Sequence, residues 1–215
     1  MTQERFQKIK NVLDKRQPDL ALIMDQVHKP HNLAAIIRSC DAMGLSDVYG
    51  ISNSKKNIKT QLKAASGSNH WVKFYIKKNL NGISYDLKKK GHTLYLANLS
   101  SKAMNYREVD YTKPSTIILG SELDGVSKEA LQIADHEIMI PMYGMVDSLN
   151  VSVANALILF EIQRQREKNG FYKKRRLPID KYQRLLFEFS YPKIASVYRK
   201  KGKSYPSLDS EGQII

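Results

Sequence analysis

Short, unbroken apolar runs alternate along this chain with stretches in which apolar residues recur every three or four positions. Residues 20–24 (LALIM), 93–97 (TLYLA), 115–119 (STIIL) and 138–140 (IMI) are such runs, and residues 47–52 and 71–76 read as further strands. A run that is apolar at every position suits a strand covered on both faces. The intervening segments predict helices. One spans residues 3–16, with Phe6, Ile9 and Leu13 on one face and Pro18 ending it. A second is capped by Asn32, carries Leu33, Ile36, Ile37 and Cys40, and closes at Gly44. Others are expected over 59–65, ending at Gly67; over 83–90, stopped by Gly91; and over 128–134, capped by Ser127. Strands alternating with helices through short loops imply an α/β fold, a mainly parallel sheet with helices on both faces.

The stretch 138–161 (IMIPMYGMVDSLNVSVANALILFE) organises the rest. Its strand stops at Pro141, and a loop with Gly144 leads to Asp147, Ser148 and Asn150. A helix then carries Val151, Ala154, Leu157, Ile158 and Glu161 at helical spacing, with Ser148 or Asn150 placed to cap it. Taken alone, this fits either an ordinary strand–loop–helix connection or a ligand site at a helix N-terminus. Two other polar segments, 32–38 and 120–125, also follow apolar strands. Parallel strands bring such ends to one edge of the sheet, which would gather Asn32, Arg38, Glu122, Ser148 and Asn150, bordered by Gly120, Gly125 and Gly144.

Charge alters the picture at the C-terminus. Lys plus Arg number 35 against 21 Asp plus Glu in 215 residues, a net +14, which points to a polyanionic partner, nucleic acid first. Residues 164–176 (RQREKNGFYKKRR) hold seven basic residues and one acid, and residues 164–215 hold 14 basic and five acidic. This region, with helices expected near 180–188 and 193–201, reads either as an RNA-binding appendage offering Phe171, Tyr172, Tyr182 and Tyr198 for stacking, or as a solvated helical tail. No apolar run approaches the roughly 18 residues of a membrane span. The opening residues lack a signal-peptide core, so a cytoplasmic location is expected. Cys40 is the single cysteine, and His28 with His31 supply no clear third ligand, so no metal site is expected. Neither G-x-x-x-x-G-K-[ST], G-x-G-x-x-G nor G-x-S-x-G occurs, which disfavours phosphate-loop ATPases, ordinary dinucleotide enzymes and serine hydrolases.

Three segments, HNLAAIIR, LGSELDGVS and IPMYGMVDSLNVSVANALILFE, resemble the three motifs of the SPOUT-class RNA 2′-O-methyltransferases. The flanking RQPDL, VHKPHN and QRQR are similar to the TrmH subfamily, which methylates guanosine 18 in the tRNA D-loop. The resemblance runs from about residue 20 to 165 and more loosely through the basic tail. It implies a parallel sheet whose C-terminal part is threaded into a trefoil knot, a topology no periodicity would reveal. It divides the chain into a helical extension (1–18), a methyltransferase domain (19–165) and a basic helical extension (166–215). It also implies S-adenosylmethionine as cofactor, S-adenosylhomocysteine as product, tRNA as substrate and a homodimer. The helices bearing Leu33, Ile36 and Ile37 and bearing Val153, Leu157 and Phe160 are expected to have apolar surface to spare for the second copy. Alternatives within the same fold are a ribosomal RNA methyltransferase and a non-catalytic RNA-binding protein.

The resemblance also assigns residues. Ala97, Leu119, Gly120, Gly125, Ile140, Met142, Gly144 and Leu149 would hold the cofactor, the glycines allowing close backbone approach. Arg38 matches the family's catalytic arginine. A guanidinium is a poor base, so its expected role is to stabilise the developing alkoxide and hold a neighbouring phosphate. Asn32 would orient Arg38 or the ribose, Glu122 would fix the loop, and Ser148 and Asn150 would hold the cofactor loop and the reacting ribose. His31, Arg164, Arg166, Lys173, Lys174, Arg175 and Arg176 are the expected RNA contacts. Asp124 and Asp147 are departures, extra acids beside an RNA site that could tune substrate choice.

Overall fold

A computed structural model describes residues 1–51, 71–121 and 125–215. The helix expected over 59–65 and the side chain of Glu122 lie outside these residues. The described chain divides into two compact units, one of residues 18–169 and one that joins residues 1–17 to 170–215.

The larger unit is built on a seven-stranded sheet in the order β3-β2-β1-β6-β4-β7-β5. The strands are β1 (Gln17–Asp25), β2 (Leu45–Ile51), β3 (Lys73–Lys77), β4 (Thr93–Ala97), β5 (Met104–Asn105), β6 (Ser115–Leu119) and β7 (His136–Met139). The pairs β1–β6, β2–β3, β4–β6, β4–β7 and β5–β7 are parallel. Alternation along β1 divides the core into two layers. Leu20, Leu22 and Met24 join Leu33, Ile36 and Ile37 of α2 (Pro30–Ala42) and Ile158, Leu159 and Ile162 of α5 (Val151–Lys168). Ala21 and Ile23 face the other way, onto Ile83 and Leu87 of α3 (Asn81–Lys89) and Ala130 and Ile133 of α4 (Lys128–Ile133). The helices therefore cover both faces, as the unbroken apolar runs require.

Register fixes where the loops emerge. Met24 pairs with Leu119, Leu119 with Ala97, and Ala97 with Ile138, so the C-terminal ends of β1, β6, β4 and β7 lie side by side. The polar segments that follow them leave from one edge. Consecutive strands β4 and β5 are not neighbours, because β7, formed later in the chain, lies between them.

Several boundaries differ from the sequence reading. Pro18 sits near the start of β1, where a proline is tolerated, and α1 (Gln3–Asp14) ends before it. Asn32 is not a cap: α2 starts at Pro30, a residue suited to the first helical turn, and Asn32 lies buried inside the helix. The helix after Asn150 continues past Glu161 to Lys168, taking in the first part of the basic run. Leu33, Ile36 and Ile37 have no surface to spare, being sealed in the core, whereas Val153, Leu157 and Phe160 are exposed.

Within the smaller unit, α1 packs on α6 (Ile179–Ser190), which is followed by α7 (Pro192–Lys200). Phe6, Ile9 and Leu13 are the buried face of α1, and Thr2 Oγ1 caps it by accepting from Arg5 N at 3.3 Å. Phe187 stacks on Tyr205 with ring centroids 4.8 Å apart, and Tyr191 Oη donates to Gly212 O at 2.8 Å. No helix among the described residues is long and apolar enough to cross a membrane.

Candidate cofactor and RNA site

The loops after β4, β6 and β7 enclose a cavity of about 560 Å³, in the range of small-molecule sites. Ala97 and Asn98 come from the end of β4, and Leu119, Gly120 and Gly125 from the end of β6. Ile140, Met142, Ser148, Leu149 and Asn150 come from the connection between β7 and α5. Seven of the eight expected cofactor residues thus line one space. Gly144 does not: a Cβ there would meet nothing within 4 Å, so no close approach requires a glycine.

Gly120 is required by geometry. Ser121 N donates to Gly125 O at 2.8 Å and Gly125 N returns to Ser121 O at 3.1 Å, folding the loop back on the end of β6. A Cβ on Gly120 would stand 2.5 Å from Gly125 O, and Gly125 adopts φ +68°. Asp25, buried at the end of β1, anchors the exit of this loop by accepting from Ser127 N at 3.0 Å. On the opposite wall, Asn98 N donates to Ile138 O at 3.0 Å and Asn98 Nδ2 to Glu137 Oε2 at 2.7 Å. These bonds from the Asn98 amide, and from Ser100, hold the Glu137 carboxyl below its usual range.

Asn150 ties the third motif to the first. Its Oδ1 caps α5, accepting from Ser152 N at 2.8 Å and Ser152 Oγ at 2.6 Å, while its Nδ2 donates to Asn32 Oδ1 at 3.2 Å. Asn32, buried in α2, is thereby bonded to a residue of the cavity lining, and Ser148 is an exposed residue of that lining. Arg38 is exposed on α2 and lines no part of the cavity of its own chain. His31 is also exposed, at the start of the same helix.

The expected RNA contacts separate into groups. Lys173, Lys174 and Arg175 are exposed, although Arg175 lies over the Tyr182 ring at 4.5 Å. Arg176 is half-buried, stacked 4.1 Å from the Phe171 ring and bonded to Gln17 Oε1 at 3.0 Å. Those arginines cover faces of Phe171 and Tyr182 that the sequence reading offered to bases, and Tyr182 is buried. Arg164 is gripped by both carboxylate oxygens of Glu161 at 2.8 and 2.7 Å, and it is the main cause of the lowered Glu161 carboxyl. Arg166 is not an RNA contact. It is fully buried, with Nη1 on Asp19 Oδ1 at 2.8 Å and Nε on Tyr111 O at 3.0 Å.

Sequence reasoning missed Lys29 as a cavity residue; Asn98 and Asp147 fall within the loops 96–99 and 140–150 that the resemblance assigned to the cofactor but were not singled out as contacts, and all three line the cavity. Asn98 directly follows the run TLYLA, so its position at a strand end was the available signal.

A parallel α/β sheet with a small-molecule cavity at its strand ends, walled by the second and third motifs and by the loop after β4, defines a methylase of the SpoU class. The model of the SpoU rRNA Methylase family matches residues 19–160, and that of the SpoU rRNA methylase C-terminal region matches residues 164–215; the chain belongs to this family. Among its relatives, the tRNA (guanosine(18)-2′-O)-methyltransferase of Escherichia coli K12 is 45% identical over 100% of this chain and 94% of its own length. The crystal structure of the Aquifex aeolicus TrmH/SpoU tRNA modifying enzyme superposes with a TM-score of 0.82 at 41% identity, covering 89% of this chain and 97% of that one. An AdoMet-bound rRNA methyltransferase from Sinorhizobium meliloti superposes at 0.60 with 25% identity, over 72% of this chain and 59% of that one.

Proposed function

We propose that this protein is an S-adenosylmethionine-dependent methyltransferase that modifies the ribose 2′-oxygen of guanosine 18 in the tRNA D-loop. The observation that carries this is the cavity, whose walls come from the second and third motif segments and the loop after β4, in a chain aligned over its whole length with enzymes named for that reaction. When bound, the cofactor supplies a methyl group activated by a sulfonium leaving group. The insertion of β7 between β4 and β5 supports reading the cavity as the loops of a trefoil knot.

The chain's own work is positioning and charge control. Backbone groups of Ala97, Leu119, Ile140 and Leu149, with Met142, hold the adenosine. Gly120 and Gly125 fold the second loop tightly enough to leave room for it. The Asn32–Asn150 bond fixes the third loop against α2, so that Ser148 faces the reacting ribose. Arg38 stabilises the developing alkoxide and holds an adjacent phosphate, and that phosphate or a water takes the 2′-hydroxyl proton as the methyl leaves the sulfonium. Glu122 fixes the second loop. Lys173, Lys174 and Arg175, with His31, meet the RNA backbone.

Arg38 lies outside the cavity of its own chain, and α5 exposes Val153, Leu157 and Phe160. The third loop adds Tyr143 and Met145, at 97% and 99% exposure. We read this apolar strip as the face of a homodimer in which Arg38 serves the partner's cavity. Heterodimers of Arg38→Ala with a cavity-blocked Gly120→Leu chain then regain transfer, because one composite site is intact; absence of any recovery would place Arg38 in cis. The primary assay is methyl transfer from labelled S-adenosylmethionine to unmodified tRNA and ribosomal RNA transcripts, with the nucleoside mapped. Label at tRNA guanosine 18 is the expected result. Label confined to ribosomal RNA would move the substrate, and none on either would overturn the reading.

A further inference from the structure

Resting on the cofactor reading above, we propose that Lys29 and Asp147 form an amino-acid subsite. In it the Lys29 ammonium takes the cofactor's α-carboxylate, and the Asp147 carboxylate takes its α-ammonium. Both side chains line the cavity, and they are the charged side chains that do so among the described residues. They come from different motifs, Lys29 from the segment before α2 and Asp147 from the loop before α5. Neither side chain makes an ion pair or hydrogen bond with another described residue. A cation and an anion that line the same cavity without partners among the described residues are complementary to a zwitterion.

The surroundings favour this assignment. Lys29 is half-buried and occupies the N-cap position of α2 without giving a side-chain cap bond, so the positive end of the helix dipole adds to its ammonium. A carboxylate there gains a charge-assisted hydrogen bond as well as the field. Asp147 is exposed at the cavity beside Ser148, where an acid repels an RNA backbone but attracts an ammonium. This accounts for an acid at a nucleic-acid site.

The alternative occupant for Lys29 is an RNA phosphate, and calorimetry separates the two. S-adenosylmethionine, decarboxylated S-adenosylmethionine and 5′-methylthioadenosine are titrated into wild type, Lys29→Met and Asp147→Asn. Lys29→Met is expected to weaken S-adenosylmethionine roughly tenfold to hundredfold and to leave the decarboxylated analogue unchanged. Asp147→Asn is expected to weaken both, since both keep the amine. Methylthioadenosine, which lacks the whole amino-acid end, binds all three proteins alike and shows that the variants are folded. Equal binding of S-adenosylmethionine and its decarboxylated analogue by wild type overturns the subsite while leaving the cofactor reading intact. Failure of wild type to bind S-adenosylmethionine overturns the cofactor reading itself. If Lys29→Met instead keeps cofactor affinity and lowers the salt slope of tRNA binding by about one, Lys29 is a phosphate contact and the subsite is wrong.

Discussion

Replacing Arg166 by Met asks whether this arginine belongs to the core or to the RNA surface. Its guanidinium is fully buried on α5. Besides the bonds to Asp19 Oδ1 and Tyr111 O, Nη2 lies 3.2 Å from Lys113 O and 3.4 Å from Asp19 O. One side chain thus joins α5 to β1 and to the connection entering β6. Met keeps most of the aliphatic stem but removes the charge and every donor. Asp19 then loses the Arg166 ion pair, and the carbonyls of Tyr111 and Lys113 each lose a hydrogen bond. Removing one member of a buried pair costs about 3–5 kcal/mol. The Asp19 side chain is 19% exposed and regains some hydration, so the low end, about 3 kcal/mol, is expected. At a urea slope of about 2 kcal/mol per molar, the midpoint falls by about 1.5 M. Fluorescence of Trp71, the single tryptophan, reports it from the same unit. Arg166→Met combined with Asp19→Leu should recover part of the loss, because the uncompensated charge is gone. An unchanged midpoint, accompanied by weaker tRNA binding and a shallower salt slope, would put Arg166 on the surface and refute the burial argument.

Other changes test the cavity, the tail and the core. Gly120→Ala drives a Cβ against the backbone at Gly125 O, so the loop must shift; S-adenosylmethionine affinity is expected to fall at least tenfold by calorimetry, with a lowered unfolding midpoint, and unchanged affinity would remove this loop from the site. Changing Lys173, Lys174 and Arg175 together to Ala should reduce the slope of log tRNA affinity against log salt by about two to three, without touching cofactor binding. Arg176→Ala, by contrast, should lower stability by about 1–2 kcal/mol in urea melts, since that side chain stacks on Phe171 and bonds Gln17. His92 is buried against Thr116 Oγ1 at 2.9 Å and Ser115 O at 3.2 Å, and burial holds its imidazole below the usual value. Below about pH 6.5 the unfolded chain binds a proton that the folded one resists, so stability falls as pH falls. Urea midpoints between pH 7 and 5 should therefore decline less steeply in His92→Gln; identical slopes would refute this.

The sheet was legible because its strands carry an unmixed signal. Residues 93–97 and 115–119 are apolar or small at nearly every position, and the strand bounds coincide with the runs. Edge elements were less legible. Two-residue β5 has no room for a pattern, and its pairing with β7 comes from tertiary placement. The cavity was legible for a related reason. In a parallel sheet, residues at and just past the strand ends are candidate wall residues whatever their side chains, which agrees with the positions of Ala97, Leu119 and Ile140 that the family resemblance named. Lys29 was hidden because its loop follows β1 yet reaches the cavity at the ends of β4, β6 and β7.

Charged residues were the harder part, and Arg164 and Arg166 show why. Both stand in the same basic run, so composition treats them alike. The helix does not. The buried stripe of α5 runs through Asn155, Ile158, Leu159 and Ile162, and Arg166 is four residues past Ile162, on the same stripe. Arg164 falls off the stripe and is exposed. A helix read as ending at Glu161 conceals this, because the stripe is cut before it reaches the arginine. Had the 3.6-residue period been carried through the polar segment, Arg166 would have been placed in the core and a buried acid sought for it. Asp19, at the entrance to the first apolar strand, is the acid the structure supplies. Along a helix, periodicity decides which members of a basic run can reach RNA; net charge only counts them.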